Sequence, residues 1–211
     1  MKRLNHIFLI TLVALLFACN SNTDKKENTE IVKTHIAEQN NRIEPEPEEK
    51  EPNQDFNCVR GQAEPIVIKE IYPNTTFTVQ PDSLSAIETI ELDNGEKVII
   101  KNWGCEYYVL SFQFETSKYN ADITAMKYWY IISYKLMNEI KKGIDAPIDI
   151  EKGLQAFNDY ISKNVFDLDL DLETEIDYGE NEIRNFVSLD NISKIENNRF
   201  SVTISFAVGP L

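Results

Sequence analysis

"CEYYVLSFQFETSKYNADITAMKYWYIISYKLMNEIKKG", residues 105–143, changes its hydrophobic period part-way along. In its first part Tyr108, Leu110, Phe112 and Phe114 alternate with Val109, Ser111, Gln113 and Glu115. Successive side chains of a strand point to opposite faces, so this pattern predicts a half-buried strand with an aromatic face towards the core. In "ADITAMKYWYIISYKLMNEIKKG" the period becomes helical: Ile123, Met126, Tyr130, Tyr134 and Met137 recur at that spacing, and Trp129, Ile132, Leu136 and Ile140 widen the stripe. Lys141 and Lys142 suit the negative end of a helix, and Gly143 suits the position just beyond it.

Moving outward, a second helix is expected with Asp149 as its N-cap and Ile150, Leu154, Phe157 and Ile161 along one side. Both helical stripes read as core rather than as a ligand groove. The chain then returns to period two: in "NRFSVTISFAV", residues 198–208, Phe200, Val202, Ile204, Phe206 and Val208 share a face, with a turn at Asn197-Asn198 before them and "IRNFVSL" as partner strand. Upstream, "EPIVIKEIY" and "TTFTVQ" are β-rich and separated by Pro73-Asn74. "AIETIEL" and "KVIIK" flank Asp93-Asn94-Gly95, a hairpin signal because Asn and Gly tolerate positive φ. Strands, two helices and strands again predict an α+β domain over residues 56–211. Its antiparallel sheet has the helix pair inserted between the N-terminal and C-terminal strands and packed on one face.

The start of the chain has a different purpose. Lys2 and Arg3 precede an apolar run of 12 residues, Ile7 to Ala18. A bilayer-spanning helix needs about 20 apolar residues, so residues 1–18 read as a secretory signal peptide that is removed. The cleavage zone, Leu16-Phe17-Ala18-Cys19, resembles the lipobox of bacterial lipoproteins. That resemblance covers only the first 19 residues. It implies diacylglycerol on the Cys19 thiol, cleavage before Cys19, acylation of the new amino group and a membrane as partner through the lipid. One acyl chain holds a protein marginally and two or three hold it firmly. Asn20, where enterobacterial lipoproteins kept at the inner membrane carry Asp, implies the outer membrane. "DKKE" at 24–27 is a poor match to the acid-rich surface-display signal of some Bacteroidota lipoproteins, and the periplasmic and surface-facing options both stay open. Residues 19–55 then form a polar, Pro- and Glu-rich tether: positions 20–55 carry five Lys or Arg against ten Asp or Glu and too few apolar residues to offset their ordering entropy.

The inventory narrows the chemistry. Both histidines, His6 and His35, precede the domain, which leaves it without a His-based triad or an imidazole zinc site. Cys58 and Cys105 are the domain's cysteine pair and, in a compartment that permits disulfides, read as a crosslink. No phosphate-binding loop, dinucleotide fingerprint or nucleophile elbow is present, and no cofactor is expected. Residues 56–211 hold 14 Lys or Arg against 25 Asp or Glu, a net charge of −11, which argues against nucleic acid and against direct adhesion to anionic headgroups.

One acidic segment stands apart, "FDLDLDLETEIDYGENE" at 166–182. Asp167, Asp169, Asp171, Glu173, Glu175 and Asp177 fall on one parity, and Phe166, Leu168, Leu170, Leu172, Ile176 and Tyr178 on the other. As a strand this segment would show a row of carboxylates on one face. Three uses stay open: a solvated or guarded edge, a docking face for a cationic protein, and divalent-cation binding. The last would need ligands from elsewhere, because Leu172 and Tyr178 stand where an EF-hand loop has Gly and Glu. The sequence thus favours a non-enzymatic envelope domain that binds or scaffolds. The alternatives are an inhibitor or immunity protein against a basic, lysozyme-like envelope-attacking hydrolase, and a carboxylate-based glycan hydrolase; for the latter Glu106 and Glu115 lie near the aromatic strand, but the strand pattern gives no reason to set two carboxylates across a cleft.

Overall fold

The computed structural model describes residues 58–164, 170–180 and 182–210. The segments read as a signal peptide and a tether, with Cys19, lie outside the described residues, as do Asp167 and Asp169. The described chain is α+β, with one seven-stranded antiparallel sheet and two helices. The strands are β1 (Thr75–Val79), β2 (Ala86–Glu91), β3 (Lys97–Trp103), β4 (Tyr108–Thr116), β5 (Ile176–Asp177), β6 (Arg184–Ile195) and β7 (Arg199–Gly209). The helices, α1 (Met126–Ile140) and α2 (Ile150–Lys163), fall between β4 and β5 in the chain. The sheet order is β1-β2-β3-β4-β7-β6-β5, so the last strand in sequence closes against β4.

Register puts the alternating residues on a common face. Val98, Ile100 and Asn102 of β3 stand opposite Phe114, Phe112 and Leu110 of β4, which in turn face Val202, Ile204 and Phe206 of β7. Leu110, Phe112, Val202, Ile204 and Phe206 are wholly buried, and complete burial of such a side chain stabilises by about 1.5–3 kcal/mol. The turn at Asn197-Asn198 has φ of 59° and 56°, the left-handed geometry that Asn tolerates best among non-glycine residues. The helices meet the sheet, and each other, through aromatic contacts. Trp129 lies 4.8 Å from Phe200 between ring centroids, Tyr130 stacks on Phe157 at 5.0 Å, and Gly153 of α2 faces the Phe206 ring. Asp149 caps α2 by accepting the backbone N–H of Lys152 at 2.9 Å.

Three expectations change. "EPIVIKEIY" forms no strand: Val67 makes a single bridge to Ile144, and Ile71 and Tyr72 turn back onto the carbonyl of Ile68. Its amides are engaged elsewhere, because Glu88 accepts from the backbone N–H of Ile66 at 2.5 Å and of Val67 at 3.0 Å. Helix α1 begins at Met126, leaving Ile123 exposed before it. There Asp122 accepts from both the backbone and the hydroxyl of Thr124, making a side-chain turn that competes with helix. Third, residues 170–175 are not strand. The chain turns at Leu172-Glu173, with Glu173 at φ 60°, and only Ile176–Asp177 joins the sheet. The alternation of acids and leucines is real, but Tyr130 bonds the Asp171 carbonyl and the Glu173 amide bonds the Leu189 carbonyl, pulling the backbone out of an extended path.

Candidate functional site

The cysteines Cys58 and Cys105 are bonded to each other, with their Cα atoms 5.1 Å apart. This crosslink lays the segment that opens the domain beside the entry to β4, and Arg60 follows two residues later. Its guanidinium donates from Nη1 to the Trp103 carbonyl at 2.6 Å and from Nη2 to Asn102 Oδ1 at 2.7 Å. It also lies over the Tyr108 ring, with Cζ 4.5 Å from the centroid. Asn102 completes the triangle by donating from Nδ2 to the Tyr108 hydroxyl at 3.2 Å.

Arg60 is 7% exposed, and its Nε has no hydrogen-bond partner. Among the described residues no carboxylate forms an ion pair with it. Burial pulls its pKa down, and the fields of Tyr108 and Asp82 push it back up. Guanidinium stays charged across the physiological range, so this corner holds a desolvated cation whose direct contacts are neutral dipoles and an aromatic face, with Asp82 acting on it only through its field. Burial raises the Tyr108 pKa, with Arg60 and the Asn102 bond acting against the rise. The phenol is therefore protonated at neutral pH and has its O–H to give.

Arg60 and Tyr108 line a cleft of about 510 Å³, together with Ile66, Pro147 and the exposed acids Glu64 and Asp145. Ligand pockets typically fall between about 300 and 1,000 Å³. Two contacts fix the segments that line the cleft. Glu88, 2% exposed on β2, grips the amides of Ile66 and Val67. The Asp145 amide donates to the Ile66 carbonyl at 2.8 Å, tying the loop after α1 to the same segment.

The acids singled out in the sequence do not gather into one described row. Asp171, Glu173, Glu175 and Asp177 are exposed. Arg184 pairs with Glu175 at 2.9 Å and with Asp177 at 3.2 Å, and Asp177 also accepts the Gly179 amide at 2.8 Å. Among the described residues no cluster of three or more His, Cys, Asp or Glu could hold a metal ion. Glu115 stands 3.8 Å from Arg199, and Glu106 is exposed. Neither lines the cleft.

A second polar cluster sits on the other side of the sheet. Asp190 occupies the register shift between Leu189 and Asn191 and accepts from the hydroxyls of Ser188, at 2.5 Å, and Ser205. Ser205 Oγ lies 2.8 Å from Ser111 Oγ, which accepts from Trp103 Nε1 at 3.1 Å. Burial raises the Asp190 pKa, and the two serine bonds lower it. The row has no imidazole to relay a proton, and its ordered bonds pin the bulge.

Sequence reasoning missed Arg60, Glu64 and Asp145, and read Tyr108 as core alone. A signal existed for Arg60: a side chain two residues from a crosslinked cysteine is confined near whatever the crosslink is attached to. Asp145 carried none, because the loop after α1 meets Ile66 only through the tertiary fold. No family model, curated protein or solved structure matches the chain.

Proposed function

We propose that this protein is a lipid-anchored domain of the bacterial cell envelope that binds a ligand without transforming it, and that the ligand seats its negative group beside Arg60. The observation that carries this reading is the buried guanidinium that lines a cleft with no carboxylate paired to it. A buried charge without an opposite partner is costly, and a ligand anion is the partner the cleft lacks. The lipobox-like Leu16-Phe17-Ala18-Cys19 supports the anchor, with Asn20 favouring the outer membrane. Among the described residues no helix is long and apolar enough to cross a membrane. The helix pair, inserted between the N-terminal and C-terminal strands, serves in this reading as the cover of one sheet face, and the contacts of Trp129 with Phe200 and of Gly153 with Phe206 support it. A cationic protein docking on the 167–177 acids is the weaker reading, because Arg184 already neutralises two of them.

The test has two arms. Labelled palmitate should enter the wild-type product and not a Cys19→Ala variant; equal labelling of both overturns the anchor. For binding, acetate titrated at low ionic strength should shift the amide resonances of Gly61 and Gln62, and a Tyr108→Phe variant, which keeps the ring under Arg60, should bind more weakly. Unmoved resonances, or an unchanged affinity in Tyr108→Phe, overturn the anion seat.

A further inference from the structure

The cleft is bipolar. Arg60 and the Tyr108 hydroxyl form one side, and the carboxylates of Glu64 and Asp145 line the same opening. Glu64 and Asp145 are exposed, and no hydrogen bond or ion pair of the described structure uses their side chains. The backbone brings them together, because the Asp145 amide bonds the carbonyl of Ile66, two residues after Glu64. Glu64 is also close enough for its charge to be felt at Tyr108, where it opposes ionisation of the phenol.

A purely anionic ligand would gain from Arg60 and lose to the two carboxylates at the entrance. A purely cationic ligand would meet the reverse. A molecule carrying a carboxylate and an ammonium a short distance apart gains from both. Resting on the anion seat assigned above, we infer that the cleft recognises a small zwitterion of the amino-acid or short-peptide class, with its carboxylate at Arg60 and Tyr108 and its ammonium at Glu64 and Asp145. The space, about 510 Å³, accommodates such a molecule with room for further residues or a side chain. Charge-assisted hydrogen bonds at both ends would select it over a singly charged fragment of the same size.

Glycine, diglycine and triglycine, compared with acetate and with methylamine, test the inference because they vary the separation of the two charges on one scaffold. Binding is read from the amide resonances of Gly61, Gln62 and Ala146 in the wild-type domain. At least one member of the series is expected to bind about tenfold more tightly than acetate, the factor that corresponds to about 1.4 kcal/mol from the second charged contact. Glu64→Gln combined with Asp145→Asn changes only exposed side chains. It should bring that member down to the affinity of acetate, while acetate itself binds no more weakly. If acetate binds and no glycine peptide binds more tightly, or if the double variant leaves the peptide affinity intact, the zwitterion assignment fails and the anion seat stands. If neither acetate nor any peptide moves those resonances, the seat itself fails. Methylamine binding as tightly as the best peptide also overturns the inference, since the carboxylate would then contribute nothing.

Discussion

Replacing Gly153 by Ala sets two effects of known size against each other. In a helix interior Ala is favoured over Gly by about 1 kcal/mol, so α2 by itself should gain. The structure opposes this gain: a Cβ at position 153 would sit 2.8 Å and 2.9 Å from two Phe206 ring carbons and 3.0 Å from a Tyr178 ring carbon. Ordinary carbon contacts lie at about 3.5–4.0 Å, so the ring or the helix must move by more than half an ångström. Phe206 is wholly buried on β7, a strand paired on both sides, and overpacking at such a site costs about 1–3 kcal/mol. The steric effect wins, and Gly153→Ala should destabilise the domain by about 1 kcal/mol net, lowering Tm by about 2–4 °C at this size. The decisive comparison is a double-mutant cycle with Phe206→Leu, followed by urea denaturation. In the Leu background the ring is gone, and Gly153→Ala should become neutral or stabilising, a coupling of at least about 1 kcal/mol. A stabilising Gly153→Ala in the wild-type background, or the same cost in both, would refute the close approach of α2 to the sheet.

Two further outcomes follow from the corner around Arg60. Changing Cys58 and Cys105 together to Ser removes a crosslink between residues 47 apart; in the chain-entropy model this costs about 4 kcal/mol, seen as a lower urea midpoint, and a loss below about 1 kcal/mol would count against the crosslink as a constraint on the unfolded chain. Burial, the largest influence on Glu88, raises its pKa above the ordinary carboxyl value despite the two amides it accepts. The native state therefore holds the proton more tightly than the unfolded chain, and the Glu88 contribution to stability is fullest below the ordinary carboxyl range and declines as pH rises through the folded value. The stability cost of Glu88→Gln should accordingly shrink between about pH 4 and about pH 7, and a cost that grows over that range contradicts the direction of the shift.

Where the physics is local, the sequence was readable. The alternation in β4 and β7, the Asn197-Asn198 turn and the Asp149 cap each depend on residues within a few positions of one another, and each is found where the pattern put it. The segment 64–72 misled because its β propensity was overridden by a distant carboxylate: Glu88, 22 residues from Ile66, takes the amides a strand would have used. The acidic run misled for the converse reason, since periodicity records which side chains share a face only if the backbone is extended, and Glu173 turns it. The cleft was the least legible feature. It unites Arg60, Tyr108 and Asp145, residues brought together by a disulfide, a sheet register and a loop contact that no short window contains.

The Cys58–Cys105 bond also fixes how the domain would bear a pull. Tension arriving along the chain from its N-terminal side reaches Cys58 and crosses directly to Cys105, three residues before Tyr108 opens β4. The covalent shortcut leaves β1, β2 and β3 slack. Load enters at a strand flanked by neighbours on both sides, β3 and β7, so the sheet is loaded at its middle rather than peeled from its margin.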